Sequence, residues 1–222
     1  MSASLVAQYL TDQGRTPVCF DTDPLNESFV RIKALGADAV ALLKDDAINA
    51  DEVDRLIERI LTTDAEIVVD NGAASFVPMS RYLVENNIAE LIESAGKRMV
   101  IHTVLVGGGN TVDTTKGLEA ILASFPPSVK VVVWINDYFG AVEDIGGVFE
   151  DWSIYQDNRD RIAGVVHLKQ QSQQFGLNIG QMLERKLTFA EALADTAAFM
   201  TVPRQRLTMF RRSIWEQLAA VV

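Results

Sequence analysis

Two short apolar segments that end abruptly in acidic residues limit the fold of this chain more than any other feature. Residues 18–20 are followed by Asp-Thr-Asp-Pro at 21–24, and residues 67–69 by Asp-Asn-Gly at 70–72. A buried parallel strand that presents carboxylates at its carboxyl edge has this pattern. In a chain that otherwise alternates strands and helices, the two segments suggest a nucleotide and metal site at the carboxyl edge of a sheet.

Length and composition favour a single α/β domain over residues 1–222, with a helical C-terminal portion from about residue 170. The chain is 48% hydrophobic, which is ample for a full core. No apolar run approaches the roughly 20 residues that span a bilayer, and the N-terminus does not resemble a signal peptide. The only cysteine, Cys19, is expected within a strand, which fits a reducing cytoplasm. Two histidines and one cysteine, far apart, make no metal-ligand pattern.

Hydrophobic patterning predicts alternating strands and helices. The predicted strands are residues 18–20, 39–43, 67–69, 99–106, 129–135 and 163–168, and the predicted helices are residues 2–13, 29–35, 49 onward, 78–86, 88–95, 111 onward, 175–187, 188 onward and 203 onward. Uniformly apolar strands that alternate with helices indicate a mostly parallel sheet flanked by helices.

Several helix starts carry local signals. Asn49 with Glu52 and Thr188 with Glu191 have the spacing of a capping box, and Thr111 is a candidate cap. Pro78 is expected in the first turn of its helix, where its missing N–H costs nothing.

The first acidic pair, Asp21 and Asp23, is a candidate for magnesium-bound water or for orienting a water that attacks a γ-phosphate. The alternative is a loop start in which both acids cap the backbone or stay hydrated while Pro24 fixes the turn.

The second acidic segment has a similar pair of interpretations. Asp70 closes an apolar strand in the manner of a Walker B acid, which binds Mg²⁺ directly or through water. The alternative is a strand-end residue ahead of Asn71-Gly72, which is a strong turn dipeptide.

Other polar or flexible positions carry weaker signals. Gly107-Gly108-Gly109 is not a Walker A loop, because no lysine follows at the required spacing, and a close turn is the better interpretation. Asn136 follows an apolar strand and could read a purine edge or simply begin a turn. His102 and His167 lie in predicted strands and are expected to be hydrogen-bonded core residues.

With these residues placed, the chain resembles the ParA/MinD deviant-Walker ATPases and, within them, most closely the TraL proteins of plasmid conjugation systems. The resemblance rests on residues 21–24 and 70–78 (D-N-G-A-A-S-F-V-P), together with 100–104, 133–136, 187–193 and 204–207. It spans nearly the whole chain, and the string at 70–78 is its most specific part.

The resemblance implies a P-loop NTPase-like fold and a nucleotide switch that dimerises and serves conjugative transfer together with other transfer proteins. It implies Asp21 and Asp23 as switch acids, Asp70 as the magnesium-side acid, and Asn71, Gly72 and Asn136 near the nucleotide. Mg²⁺ and ATP are the cofactors it implies for the family.

Family members begin with a strand and a K-G-G-x-G-K-[ST] loop, and this sequence contains neither. We expect Met1 to be an internal methionine of a longer ATPase; the alternative is a shortened, non-catalytic interaction module. Either way, this chain is expected to bind nucleotide weakly or not at all and not to hydrolyse ATP. The sheet is expected to compensate for an absent interior strand through a closed gap, a borrowed segment or dimerisation.

The last helix carries an apolar stripe of Leu207, Phe210, Ile214 and Leu218. Its arginines are expected mainly off that stripe, facing solvent or a partner, with Arg206 the least certain; the other three are Arg204, Arg211 and Arg212. DNA contact through those three is a minority interpretation, because the chain carries a net charge of −10.

Overall fold

The computed structural model describes residues 1–23, 28–44, 47–142 and 147–222. The strands in chain order are β1 (Val18–Asp21), β2 (Asp38–Ala39), β3 (Leu43–Lys44), β4 (Ala47–Ile48), β5 (Ile67–Asp70), β6 (Val100–Val106), β7 (Lys130–Asn136) and β8 (Ile162–Leu168). The helices are α1 (Ser2–Asp12), α2 (Ala50–Thr62), α3 (Ala73–Glu85), α4 (Ile88–Ser94), α5 (Thr111–Ser124), α6 (Ser153–Gln156), α7 (Gln173–Glu184), α8 (Phe189–Ala194) and α9 (Thr201–Leu218). None of these helices is both long and apolar enough to cross a membrane.

The first compact unit comprises residues 1–98 and 182–198. Its sheet is parallel, with strand order β2-β1-β5, and Asp21 and Asp70 are directly paired in the register of β1 and β5. The core contains α1 residues such as Leu5 and Leu10 together with Phe20. Strands β3 and β4 pair as a separate antiparallel ribbon within the same unit.

The second compact unit comprises residues 99–181 and 199–222. Its sheet is also parallel, with strand order β6-β7-β8, and the central strand β7 is almost completely buried. The predicted parallel α/β arrangement is therefore confirmed, as two three-stranded parallel sheets flanked by helices. Within the described residues, β5 pairs only with β1 and β6 only with β7, so each has one side without a strand partner.

The apolar stripe predicted on the last helix is confirmed, since Leu207, Phe210, Ile214 and Leu218 of α9 are all buried. The same helix protects the outer edge of β8. The Gln217 side chain accepts a hydrogen bond from the His167 N–H at 2.6 Å, and its amide nitrogen lies 3.3 Å from the His167 carbonyl oxygen. These are the two backbone groups that a neighbouring strand would satisfy.

Four local predictions were wrong or only partly correct. The strand predicted at 39–43 is divided between β2 and β3, and the helix predicted at 29–35 is a turn followed by a short 3₁₀ helix, Lys33–Leu35. Asn49 begins α2 without a side-chain cap; its N–H donates to the Leu42 carbonyl oxygen, and the Glu52 carboxylate pairs with Arg55. Thr111 does not cap α5 either: its hydroxyl donates to carbonyl oxygens of the preceding turn.

Pro78 does not lie in the first turn of its helix. α3 begins at Ala73, so Pro78 is the sixth residue and its missing N–H removes one interior hydrogen bond. The helix begins earlier because the Ser75 and Phe76 N–H groups both donate to the Gly72 carbonyl oxygen. By contrast, the capping box of Thr188 and Glu191 is confirmed at the start of α8.

Candidate functional site

The carboxyl ends of β1 and β5 bring the two acidic segments of the sequence together. Asp21 faces Asp70 across the sheet, and the Thr22 N–H donates to the Asp70 carbonyl oxygen at 2.8 Å. Beyond the strands, the Asp23 carboxylate packs against Gly72, where a Cβ atom would lie 2.5–2.8 Å from the carboxyl atoms of Asp23. Pro24 lies outside the described residues, so its role in the turn stays a prediction.

The Asp21 carboxylate binds backbone N–H groups of the described residues that follow β1. Its side chain is only 3% exposed, and it accepts hydrogen bonds from the N–H groups of Asp23, Phe29 and Val30 at 2.9–3.0 Å. A buried carboxylate needs such partners. Asp21 therefore has the backbone-capping role that was the alternative interpretation for this residue. Asp23 and Asp70 remain the better candidates for binding a ligand.

Asp70 is half-buried at the end of β5. Burial raises the pKa of its carboxyl; the positive amino group of Met1 lowers that pKa, and the charges of Asp21 and Asp23 raise it further. The influence of Met1 places the start of α1 near this acid. Because a helix N-terminus carries partial positive charge, the edge combines carboxylates with a region that favours anions.

Thr22 is a site residue that the sequence interpretation missed. It is buried, and its hydroxyl lies 2.7 Å from the Asn71 Oδ1 and 3.0 Å from the Asp70 carbonyl oxygen. The hydroxyl thus links the loop after β1 to the loop after β5 and holds the exposed Asn71 in place. The available signal was its position between two acids, where a small hydroxyl side chain can turn inward while its neighbours face the site.

The carboxylates here could take part in binding Mg²⁺ but do not form a complete cage. No group of three or more His, Cys, Asp or Glu side chains in the described part of the chain is placed to hold a metal. Magnesium normally keeps several waters and binds through one or two carboxylates together with substrate phosphates. Asp70, with Asp23 beside it, fits that mode; Asp21 fits less well because its oxygens already accept backbone hydrogen bonds.

Asn136, the predicted base reader, lies in the second unit at the end of β7. Its Oδ1 accepts a hydrogen bond from the Tyr138 N–H at 3.2 Å, and its carbonyl oxygen accepts one from Gly107 at 3.0 Å. The turn role considered for this residue is therefore present. Gly107-Gly108-Gly109 also forms a turn, pressed against the backbone of Gly140.

The arginines of α9 are less available than the sequence predicts. Arg206 donates to the buried Asn178 at 3.0 Å, and Arg212 pairs with Glu216 on the helix surface. Arg204 and Arg211 are half-buried and make interactions of their own. The helix therefore presents a smaller positive surface than four solvated arginines would.

Replacing Asp70 by asparagine is expected to stabilise the folded chain. A carboxyl whose folded pKa is raised destabilises the fold once it ionises, so stability is lost as the pH rises through the raised pKa. Removing that charge should raise the midpoint of thermal unfolding at pH 7 by a few degrees. Asp64→Asn, at an exposed position before the other end of β5, is the matched control. A midpoint lowered more by Asp70→Asn than by Asp64→Asn would contradict this interpretation.

Replacing Gly72 by alanine is expected to displace the Asp23 carboxylate while leaving the fold intact. Gly72 has a φ of −74°, which any residue adopts, and the clash involves only the end of a side chain. Stability should therefore change by less than about 1 kcal/mol. In a complete protein that binds Mg²⁺ and nucleotide, affinity should fall about tenfold, as calorimetry would measure. Gly117→Ala, with open space around its Cβ, should leave that affinity unchanged.

Two curated relatives cover nearly the whole chain. Both are Escherichia coli proteins named TraL, and they are 39% and 36% identical to this chain over 219 residues, which is 98% of the chain and 90% of each relative. No protein-family model matches the chain, and no solved structure matches it. At this identity and coverage, the chain belongs to the TraL family.

Proposed function

We propose that this protein is a nucleotide-dependent switch of the ParA/MinD type that acts in plasmid conjugative transfer. The observation that carries the proposal is the pairing of Asp21 with Asp70 at the carboxyl ends of adjacent parallel strands, where the charge of Asp23 also acts on Asp70, beside the start of α1. Parallel α/β sheets bind ligands at this edge. The TraL relatives support the role in conjugation.

Each residue at this sheet edge would have its own role in binding nucleotide and Mg²⁺. The start of α1 favours a phosphate, and Asp70, with Asp23 beside it, would hold Mg²⁺ directly or through water. A bound Mg²⁺ would neutralise charge that develops on the transferred phosphoryl group. Asp21 would position Asp23 by accepting a hydrogen bond from its N–H, and Thr22 would position Asn71.

The phosphate loop is the part that this sequence does not supply. The 222 residues contain no G-x-x-x-x-G-K-[ST] motif. We propose that the complete protein provides it together with an additional strand, for which the unpaired side of β5 offers a place. This chain alone is accordingly expected to show no ATP hydrolysis. Dimerisation around the nucleotide would follow the ParA/MinD pattern.

A plasmid-transfer experiment tests the role of the acids. Asp70→Ala, introduced into the complete protein on its plasmid, should reduce transfer frequency by about a hundredfold if nucleotide binding drives the switch. Asp64→Ala, an exposed acid before the other end of the same strand, should leave transfer unchanged. If Asp70→Ala and the unmodified protein transfer the plasmid at the same frequency, the nucleotide-switch proposal is wrong.

The second candidate function is a non-catalytic interaction module of the transfer apparatus. It is favoured by the use of Asp21 as a backbone cap, which needs no nucleotide. This candidate predicts that transfer survives the Asp70→Ala change and is lost when exposed surface residues are changed.

A further inference from the structure

The second unit exposes a pair of aromatic side chains immediately after β7. Tyr138 is 68% exposed and Phe139 is 66% exposed, although aromatic residues usually bury most of their area. Their rings contact edge to face, with centroids 4.9 Å apart. Val148, 60% exposed, adds to the exposed apolar surface of this loop region. Exposed apolar groups that cluster in this way mark interaction sites.

A cavity lies at the base of the same turn. Its volume is about 270 Å³, and its lining includes Ile135, Asp137, Val142, Val148, Phe149 and His167. Asp137 begins the 3₁₀ turn that carries the two aromatic residues. The cavity lies just below the usual size range for small-molecule sites, and an apolar wall with a few polar groups suits an anchoring side chain of a partner.

The described backbone at this surface is already hydrogen-bonded in the chain without a partner. The Asp137 carboxylate accepts a hydrogen bond from the Val142 N–H at 3.0 Å, and the Trp152 indole donates to the Gly147 carbonyl oxygen at 3.0 Å. The Tyr138 N–H is held by Asn136. A surface that is already ordered loses little conformational entropy on binding, which favours recognition.

The charge of the segment indicates what kind of partner fits. The described residues 137–142 and 147–160 contain five acidic residues and one arginine, a net charge of −4. Of these acids, Asp137 lines the cavity, and Glu150 lies 3.3 Å from the His167 imidazole. Such a surface repels nucleic acid, anionic membranes and the same surface of a second copy, and it attracts basic segments.

We propose that Tyr138, Phe139, Val148 and the adjoining cavity form a docking surface for a basic peptide segment with apolar anchors, presented by a partner protein. An apolar side chain of that segment fills the cavity, the aromatic pair covers its flank, and lysines or arginines meet the acidic surroundings. This surface is separate from the proposed nucleotide role, and neither depends on the other.

Binding of designed peptides to the 222-residue chain tests the proposal. The probe is a 14-residue helical peptide with three leucines on one face and five lysines, and its two counterparts carry glutamate for lysine or serine for leucine. Fluorescence polarisation at low salt should give a Kd of about 10–100 µM for the first peptide and no measurable binding for the others. Amide chemical shifts should move around residues 137–149.

Two sets of variants locate the binding. Tyr138→Ser with Phe139→Ser should weaken binding about tenfold, whereas Val112→Ser with Val202→Ser, at similarly exposed positions elsewhere, should not. Asp137→Asn with Glu150→Gln keeps the hydrogen-bonding shape, and it should weaken binding severalfold and reduce its salt dependence. All variants should keep the unmodified circular dichroism spectrum.

Several results would overturn the proposal: equal affinity for the lysine and glutamate peptides, no binding of the lysine peptide, or affinity unchanged by Tyr138→Ser with Phe139→Ser. A concentration-dependent dimer in sedimentation that disappears in that double variant would assign the surface to a second copy instead.

Discussion

Gly107→Ala is expected to cost the folded protein about 3 kcal/mol or more, because it forces backbone against backbone. A Cβ atom on Gly107 would lie 1.8 Å from the Gly140 carbonyl oxygen and 2.7 Å from its carbon. The turn cannot move away easily, because the Gly107 N–H donates to the Asn136 carbonyl oxygen at 3.0 Å. The midpoint of thermal unfolding should lie about 6–12 °C below that of the unmodified chain.

The matched control lies two residues further on. Gly109 has open space where a Cβ would be added and no positive φ, so Gly109→Ala should leave the unfolding midpoint within about 2 °C of the unmodified chain. Equal midpoints for Gly107→Ala and Gly109→Ala would contradict the close approach of the two turns.

Acidification from pH 6.5 to pH 4 is expected to remove about 3 kcal/mol of stability through His102 alone. The buried Trp134 indole N–H donates to His102 Nδ1 at 2.9 Å, so the ring is neutral and uses that nitrogen as the acceptor. Burial lowers the pKa of His102 from 6.5 to about 4. Between these values the unfolded chain binds a proton that the folded chain excludes, so stability is complete above pH 6.5 and falls as the pH decreases toward 4.

Comparison with two variants isolates this contribution. His102→Gln keeps an acceptor for the indole but does not titrate, so the difference in unfolding free energy between it and the unmodified chain should vary with pH only across this window. His102→Leu leaves the Trp134 N–H unpaired and should destabilise at every pH, by about 1–3 kcal/mol. A difference from His102→Gln that stays constant from pH 4 to 7 would show that His102 does not titrate as described.

Sequence patterns predicted the parts of the fold that depend on local signals. The apolar runs of β1, β5, β6 and β7 identified parallel strands, and the spacing of Thr188 and Glu191 identified a capping box. They could not place the start of α3, because the proline preference for a first turn was overridden by the bonds that Gly72 accepts.

The sequence predicted the residues of the site but not the different role of each acid. The pattern placed Asp21, Asp23 and Asp70 at one sheet edge, and the pairing of β1 with β5 brings Asp21 and Asp70 together. The pattern could not show that Asp21, unlike Asp23 and Asp70, binds the backbone, because its partners are N–H groups eight and nine residues further on. The bridge from Thr22 to Asn71 spans 49 residues, a separation that no local motif reveals.

Nucleotide binding by the complete plasmid-encoded protein tests the proposed function most directly. Titration with a fluorescent ATP analogue, with and without Mg²⁺, should give saturable binding that requires the metal and weakens at least about tenfold in Asp70→Ala. Asp64→Ala should bind as the unmodified protein does. Absence of binding in the complete protein, or equal affinity for Asp70→Ala and the unmodified protein, would contradict the assignment of this sheet edge as a nucleotide site.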